Sequence, residues 1–82
     1  MPEALPLSER SKIVLRSLLD HPELMTPGAI ADGLRGTEQQ LDTNDVSAAL
    51  EDLAHRLLAV EMLNGDVYAT EKARDEREAL LG

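Results

Sequence analysis

Ala59-Val60-Glu61-Met62-Leu63-Asn64-Gly65-Asp66-Val67-Tyr68-Ala69-Thr70 is the stretch on which the fold turns. Two runs with strand-forming residues, 59–63 and 66–70, flank an Asn-Gly pair. That dipeptide is the strongest short hairpin signal, because both central residues of the favoured two-residue turn need positive φ. The stretch therefore predicts one β-hairpin, placed late in the chain. Everything else has to build a core from helices.

Upstream, helix 3 is predicted to start near Asp42 or Thr43, both good caps, with Val46, Ala49, Leu50, Leu53 and Leu57 as its buried stripe. Thr37 to Asp42 reads as a polar loop with room for a turn of helix. Thr26-Pro27 reads as a cap followed by Pro at the first helical position. Helix 2 runs from there to about Leu34, with Ile30, Ala31 and Leu34 inward, and Gly36 stands where a helix-ending glycine belongs. Glu23-Leu24-Met25 is a short connector or a strand added to the hairpin. Helix 1 spans about Ser8 to Asp20, capped by Ser8 and stopped by His21-Pro22. Its buried face is Val14, Leu15, Leu18 and Leu19. At about 100° per residue, Ile13 falls instead among Arg10, Arg16 and Asp20. Downstream, Thr70 caps a last helix from about Glu71 to Leu81. The expected fold class is mainly α with a small β-hairpin. Residues 1–6 form an N-terminal extension and 7–81 one domain, in the order α-(β)-α-α-β-β-α.

The totals of the 82-residue chain narrow the function. There is no Cys, so disulfides, thiolate zinc sites and cysteine nucleophiles are excluded. His21 and His55 lie far apart, and no metal-ligand spacing surrounds either. No cofactor and no catalytic residue is expected. Carboxylates abound without a partner His, Ser or Lys, and Gly28, Gly33 and Gly36 make no phosphate-cradling loop. No apolar run approaches the roughly 20 residues of a membrane span. The start, Met1-Pro2-Glu3-Ala4-Leu5-Pro6, lacks the basic region and apolar stretch of a signal peptide, so a cytoplasmic location is expected.

The order helix, short strand, helix, helix, hairpin, helix resembles the winged helix-turn-helix family, in the broad MarR, ArsR and PadR-like group of transcriptional regulators. Leu24-Met25-Thr26-Pro27-Gly28-Ala29-Ile30-Ala31 resembles the strand-turn-helix entry to helix 2. Val46-Ser47-Ala48-Ala49-Leu50-Glu51-Asp52-Leu53 resembles the recognition helix. The hairpin with Asn64-Gly65 at its tip resembles the wing, and Val67-Tyr68-Ala69-Thr70-Glu71-Lys72-Ala73-Arg74 the closing strand and final helix. The turn after the recognition helix usually carries a glycine; here Leu57-Leu58-Ala59 has none. The loop at Thr37 to Asp42 is longer than the family's tight turn.

The resemblance implies double-stranded DNA as partner, with helix 3 (about 43–57) in the major groove and the 59–70 hairpin as wing. The face of helix 3 opposite its buried stripe holds Asn44, Ser47, Ala48, Glu51 and His55. Asn can bond adenine at two points, Ala can touch a thymine methyl, and Glu can accept from cytosine. Thr43 stands at the helix start. Phosphate contacts fall to Arg35, Arg56, Lys12, Arg16 and backbone N–H groups near Thr26 and Gly28. The wing tip offers Asn64 and Gly65. Taken singly, each of these also has a purely structural reading as a cap, a turn residue or a solvated side chain.

The net charge of −8, from 16 acids against 8 bases, opposes phosphate. Acid-rich, lysine-poor composition resembles that of proteins of salt-loving archaea and their viruses, where repulsion is screened within about 3 Å at 1 M salt. The alternative is a winged helix whose acidic face binds a basic protein partner or imitates DNA. Ile13, with Leu5, Leu7, Leu80 and Leu81, is left over once the core is filled. These residues can cover one another within the chain or form a homodimer interface through Ile13, Leu80 and Leu81.

Overall fold

The computed structural model describes residues 7–81. The expected extension at 1–6, and Leu5 with it, lies outside them. Along the described residues run α1 (Glu9–Asp20), α2 (Pro27–Leu34), α3 (Thr43–His55), β1 (Ala59–Glu61), β2 (Val67–Ala69), α4 (Glu71–Asp75) and α5 (Arg77–Leu81). The molecule is mainly helical with a two-stranded antiparallel hairpin.

Four helix starts are satisfied by short polar side chains. Ser8 accepts from the Ser11 N–H, Thr26 from Ala29, Asp42 from Asp45 and Thr70 from Ala73, at 2.8–3.2 Å. Each such cap stabilises its helix by about 1 kcal/mol. The core gathers Val14, Leu15 and Leu18 of α1, Ile30 and Ala31 of α2, Val46, Ala49, Leu50 and Leu53 of α3, and Leu58, Ala59, Val67, Ala69 and Ala73 beyond. α1 packs chiefly along α3, and α2 packs on the same helix. Leu19 and Leu34 are only partly buried at the core's edge. Leu7, left over in the sequence reading, is buried in the core. It lies just before the Ser8 cap, where an apolar residue fixes the entry angle of the chain.

Leu57 overturns its expected place in the α3 stripe. It is 67% exposed, while the next residue, Leu58, is buried. The reason is the way α3 ends. Arg56 is the C-cap, and Leu57 takes φ +62°, the left-handed conformation that usually calls for glycine. The Leu58 N–H reaches the Leu53 carbonyl at 2.9 Å, and the Leu57 N–H reaches Ala54 at 3.0 Å. This is a Schellman ending with leucine where glycine is usual. The Thr70 hydroxyl holds it by donating to the Leu57 carbonyl at 2.7 Å. Leu57→Gly is therefore expected to stabilise the domain by about 1 kcal/mol and raise Tm by roughly 5 °C in a thermal melt, because an exposed side chain is lost and a strained φ relieved.

The hairpin turn also differs from expectation. Ala59 faces Ala69, Val60 faces Tyr68 and Glu61 faces Val67. The strands are shorter than 59–63 and 66–70, and only Gly65 of the Asn-Gly pair has positive φ, at 92°. The Gly65 N–H bonds the Met62 carbonyl at 3.0 Å, and the Met62 N–H bonds Asp66 at 2.7 Å. Leu63 and Asn64 thus form the bend, and Gly65 follows as a left-handed bulge, giving a three-residue loop. Asn64 favours this form because its side-chain oxygen accepts the Asp66 N–H at 3.0 Å.

No strand forms at 23–25 among the described residues, yet the connector does meet the sheet. The Val67 N–H donates to the Met25 carbonyl at 2.6 Å. The single expected last helix is divided at Glu76 into α4 and α5. The division lets α5 fold back on α1, where Arg77 meets Asp20 at 2.6 Å and Leu80 and Leu81 pack partly buried on the core.

Candidate nucleic-acid interface

α3 is built with two unlike faces. Val46, Ala49, Leu50 and Leu53 are buried, and Asn44, Ser47, Ala48, Glu51 and His55 are exposed along the other side. Thr43, in the first turn, is exposed too. These residues share one surface because the apolar stripe turns the remainder outward. Asp42 uses its carboxylate on the cap, which leaves the Asn44 side chain out of the capping geometry.

The hairpin stands beside this face. Between them lies an open cleft of about 300 Å³, lined by Ser47, Leu50, Glu51 and Ala54 of α3, Ala59, Val60 and Glu61 of β1, Val67 of β2, and Pro27 at the start of α2. Ala59, Glu61, Val67 and Ala69 share the inner face of the hairpin, by the strand register. Val60 and Tyr68 alternate to the other side of the strand pair, and Val60 also borders the cleft at the strand edge. The large exposed hydrophobics among the described residues, Leu57, Val60, Met62, Leu63 and Tyr68, all fall between 57 and 68. Leu63 at the bend is 109% exposed.

Of the four cations expected on phosphate, Arg35 and Arg56 are held by the chain's own carboxylates, while Lys12 and Arg16 are half-buried on α1. Arg35 bonds Asp32 at 2.7 Å, and Arg56 Nε bonds both oxygens of Asp52 at 3.1 and 3.2 Å. Arg10 lies 3.6 Å from Asp45. The Lys72 amine donates to the Arg56 carbonyl at 3.3 Å. Asp52 also receives the Ser11 hydroxyl at 2.8 Å, and Ser11 is buried, so α1 and α3 are joined by a polar link inside the apolar contact. Partial burial alone would raise the Asp52 pKa. Hydrogen bonds from Ser11 and Arg56, with the charges of Arg56 and His55, outweigh it and hold the carboxyl below its usual range.

The remaining expected residues sit as follows. Thr26 spends its hydroxyl as the α2 cap, and Gly28 is exposed in the first turn of α2. Asn64 is tied to Asp66 at the hairpin bend, with Gly65 beside it. Ile13 is half-buried in a second groove beside Leu24 and Leu34, so each of Ile13, Leu80 and Leu81 is partly covered by its own chain. Sequence reasoning missed Leu63, the outer hairpin face, and the Glu61 and Ala54 walls of the cleft. Ala54 was legible, since it follows Ser47 and Glu51 by seven and three residues on one helical stripe. Glu61 was not, because its facing depends on the register that the bulge sets.

Among the described residues no group of His, Asp and Glu could hold a metal, and no helix is long and apolar enough to cross a membrane. Comparison with protein-family models, with curated proteins and with solved structures finds no match.

Proposed function

We propose that this chain is a winged-helix DNA-binding protein and acts as a transcriptional regulator, with α3 in the major groove and the hairpin as wing. The observation that carries the reading is the exposed, small-residue face of α3. Asn44, Ser47, Ala48 and Glu51 stand clear of the core, with the hairpin on one side and the start of α2 close by. A face of this kind lets a helix approach base edges closely, and its first residues are the ones that reach them. Backbone N–H groups at the start of α2, near Gly28, supply phosphate contacts that cost no side chain. Binding as a homodimer, with Ile13, Leu80 and Leu81 toward the second copy, would remedy weak half-site recognition.

Because Arg35 and Arg56 already face Asp32 and Asp52, few phosphates are neutralised. The expected salt dependence is correspondingly shallow, with a slope near −0.9 per phosphate contacted. The test is selection from a randomised duplex pool, followed by titration of the retained site. Asn44→Ala is expected to weaken binding about 5- to 100-fold and to relax preference at one base pair. A pool from which nothing is retained, at low and at high salt, removes the reading.

A further inference from the structure

The cleft between α3 and the hairpin has a chemistry that a phosphate backbone does not match. Its floor is apolar, from Pro27, Leu50, Ala54, Ala59 and Val67, and its rim carries Glu51 from the helix and Glu61 from the strand. Neither carboxylate is in an ion pair or side-chain hydrogen bond among the described residues, whereas Asp20, Asp32, Asp45 and Asp52 each face an arginine. A volume of about 300 Å³ is at the small end of ligand sites and suits one long side chain with its neighbour.

We propose that this cleft is a docking site for a basic segment of another protein, one Arg or Lys with an adjacent apolar residue. The methylene stem lies on the apolar floor, and the cationic head meets Glu51 and Glu61. Charge chooses this occupant over the others. A phosphate backbone is repelled by two unpaired carboxylates, and a second copy of the chain brings a net charge of −8 of its own. The exposed Val60 lines the same cleft, and the neighbouring apolar residue can rest on it. The site goes beyond the DNA reading, yet it includes Ser47 and Glu51 of the same face, so a bound segment covers part of the surface offered to bases.

The probe is an N-acetylated, C-amidated Leu-Arg-Leu-Arg peptide, with Leu-Glu-Leu-Glu as its counterpart, titrated into isotope-labelled protein and followed by backbone NMR shifts. Leu-Arg-Leu-Arg is expected to move the signals of Leu50, Ala54, Val60 and Glu61, and the acidic peptide to move none. Glu51→Gln with Glu61→Gln should weaken binding about tenfold, roughly threefold per charge. Ala54→Trp, made at an exposed position, should fill the cleft and abolish binding while circular dichroism stays unchanged. Equal binding of the acidic peptide, unaltered affinity of the double amide variant, or shifts scattered over the acidic surface would each overturn the proposal. So would the amide variant gaining affinity for duplex DNA while the peptide binds nowhere, since the cleft would then face nucleic acid. Failure of the duplex selection with the peptide shifts intact leaves this site standing and removes only the DNA reading.

Discussion

Leu53→Ala is expected to lower the stability of the domain by about 2–5 kcal/mol and Tm by roughly 10–30 °C, the range for deleting a fully buried leucine from a small domain. Leu53 is 0% exposed and is the last buried residue of the α3 stripe. Its carbonyl also receives the Leu58 N–H at the helix end, so its side chain and backbone serve the same junction. A domain of this length has roughly 4–12 kcal/mol in all, at about 0.05–0.15 kcal/mol per residue, so the variant loses a large share of its stability. Leu57→Ala is the matched control. It lies one helical turn further along the same sequence stripe, but its side chain is in solvent, and a change within about 0.5 kcal/mol is expected. Urea titrations followed by far-UV circular dichroism measure both. Equal losses for the two would show that α3 does not end at Arg56 as described.

Asp52→Ala is expected to cost about 1–3 kcal/mol, because a buried hydroxyl loses its acceptor and Arg56 loses two hydrogen bonds together. The value should fall toward the lower end, since the far side of the carboxylate is open to water and screened. A double-mutant cycle with Ser11→Ala separates the causes. Removing both partners leaves no buried group unsatisfied, so the double variant should be more stable than the sum of the single losses, by about 0.5 kcal/mol or more. Acid gives an independent readout. The folded-state pKa of Asp52 is depressed below its ordinary value of 3.8. Its contribution is therefore complete above that value and is lost as pH falls through the lower, folded-state value. The stability gap between wild type and Asp52→Ala should narrow as pH falls below the ordinary value of 3.8. A gap that stays constant down to the acid limit would mean that Asp52 carries no depressed pKa in the folded protein.

The helices were legible because their signals are local. Ser8, Thr26, Asp42 and Thr70 cap where the residue types say they should. Val14, Leu15, Leu18, Val46, Ala49, Leu50 and Leu53 obey the helical period and are buried. Legibility failed where tertiary contacts decide. Leu57 fits the period, but the chain leaves the helix there, and the Thr70 hydroxyl that fixes the exit comes 13 residues later. The glycine absent from that turn is replaced by a leucine in the same conformation, which no propensity argument predicts. Asn64-Gly65 announced a hairpin correctly but not its loop, because a two-residue turn needs Asn64 at positive φ and a three-residue loop does not. On the candidate interface, α3 exposes the side the pattern indicated. What the pattern could not give is the pairing of Arg35 with Asp32 and of Arg56 with Asp52. The spacings of three and four residues allow those pairs, the rotamers make them, and they leave the surface less cationic than a list of arginines suggests.

The links that hold α1 have a consequence for how the chain is made. Ser11 meets Asp52 across 41 residues, and Asp20 meets Arg77 across 57. Most of the packing of α1 and both of these ties therefore wait for α3 and α5 to be in place, and only α2 can cover it earlier. Closing such loops is entropically costly before any contact rewards it, so the contacts of α1 with α3 and α5 should form late in folding. Amide exchange should report the same architecture: the protected protons of α1 and α3 open together, in one cooperative unit, while the hairpin bend around Leu63 exchanges freely.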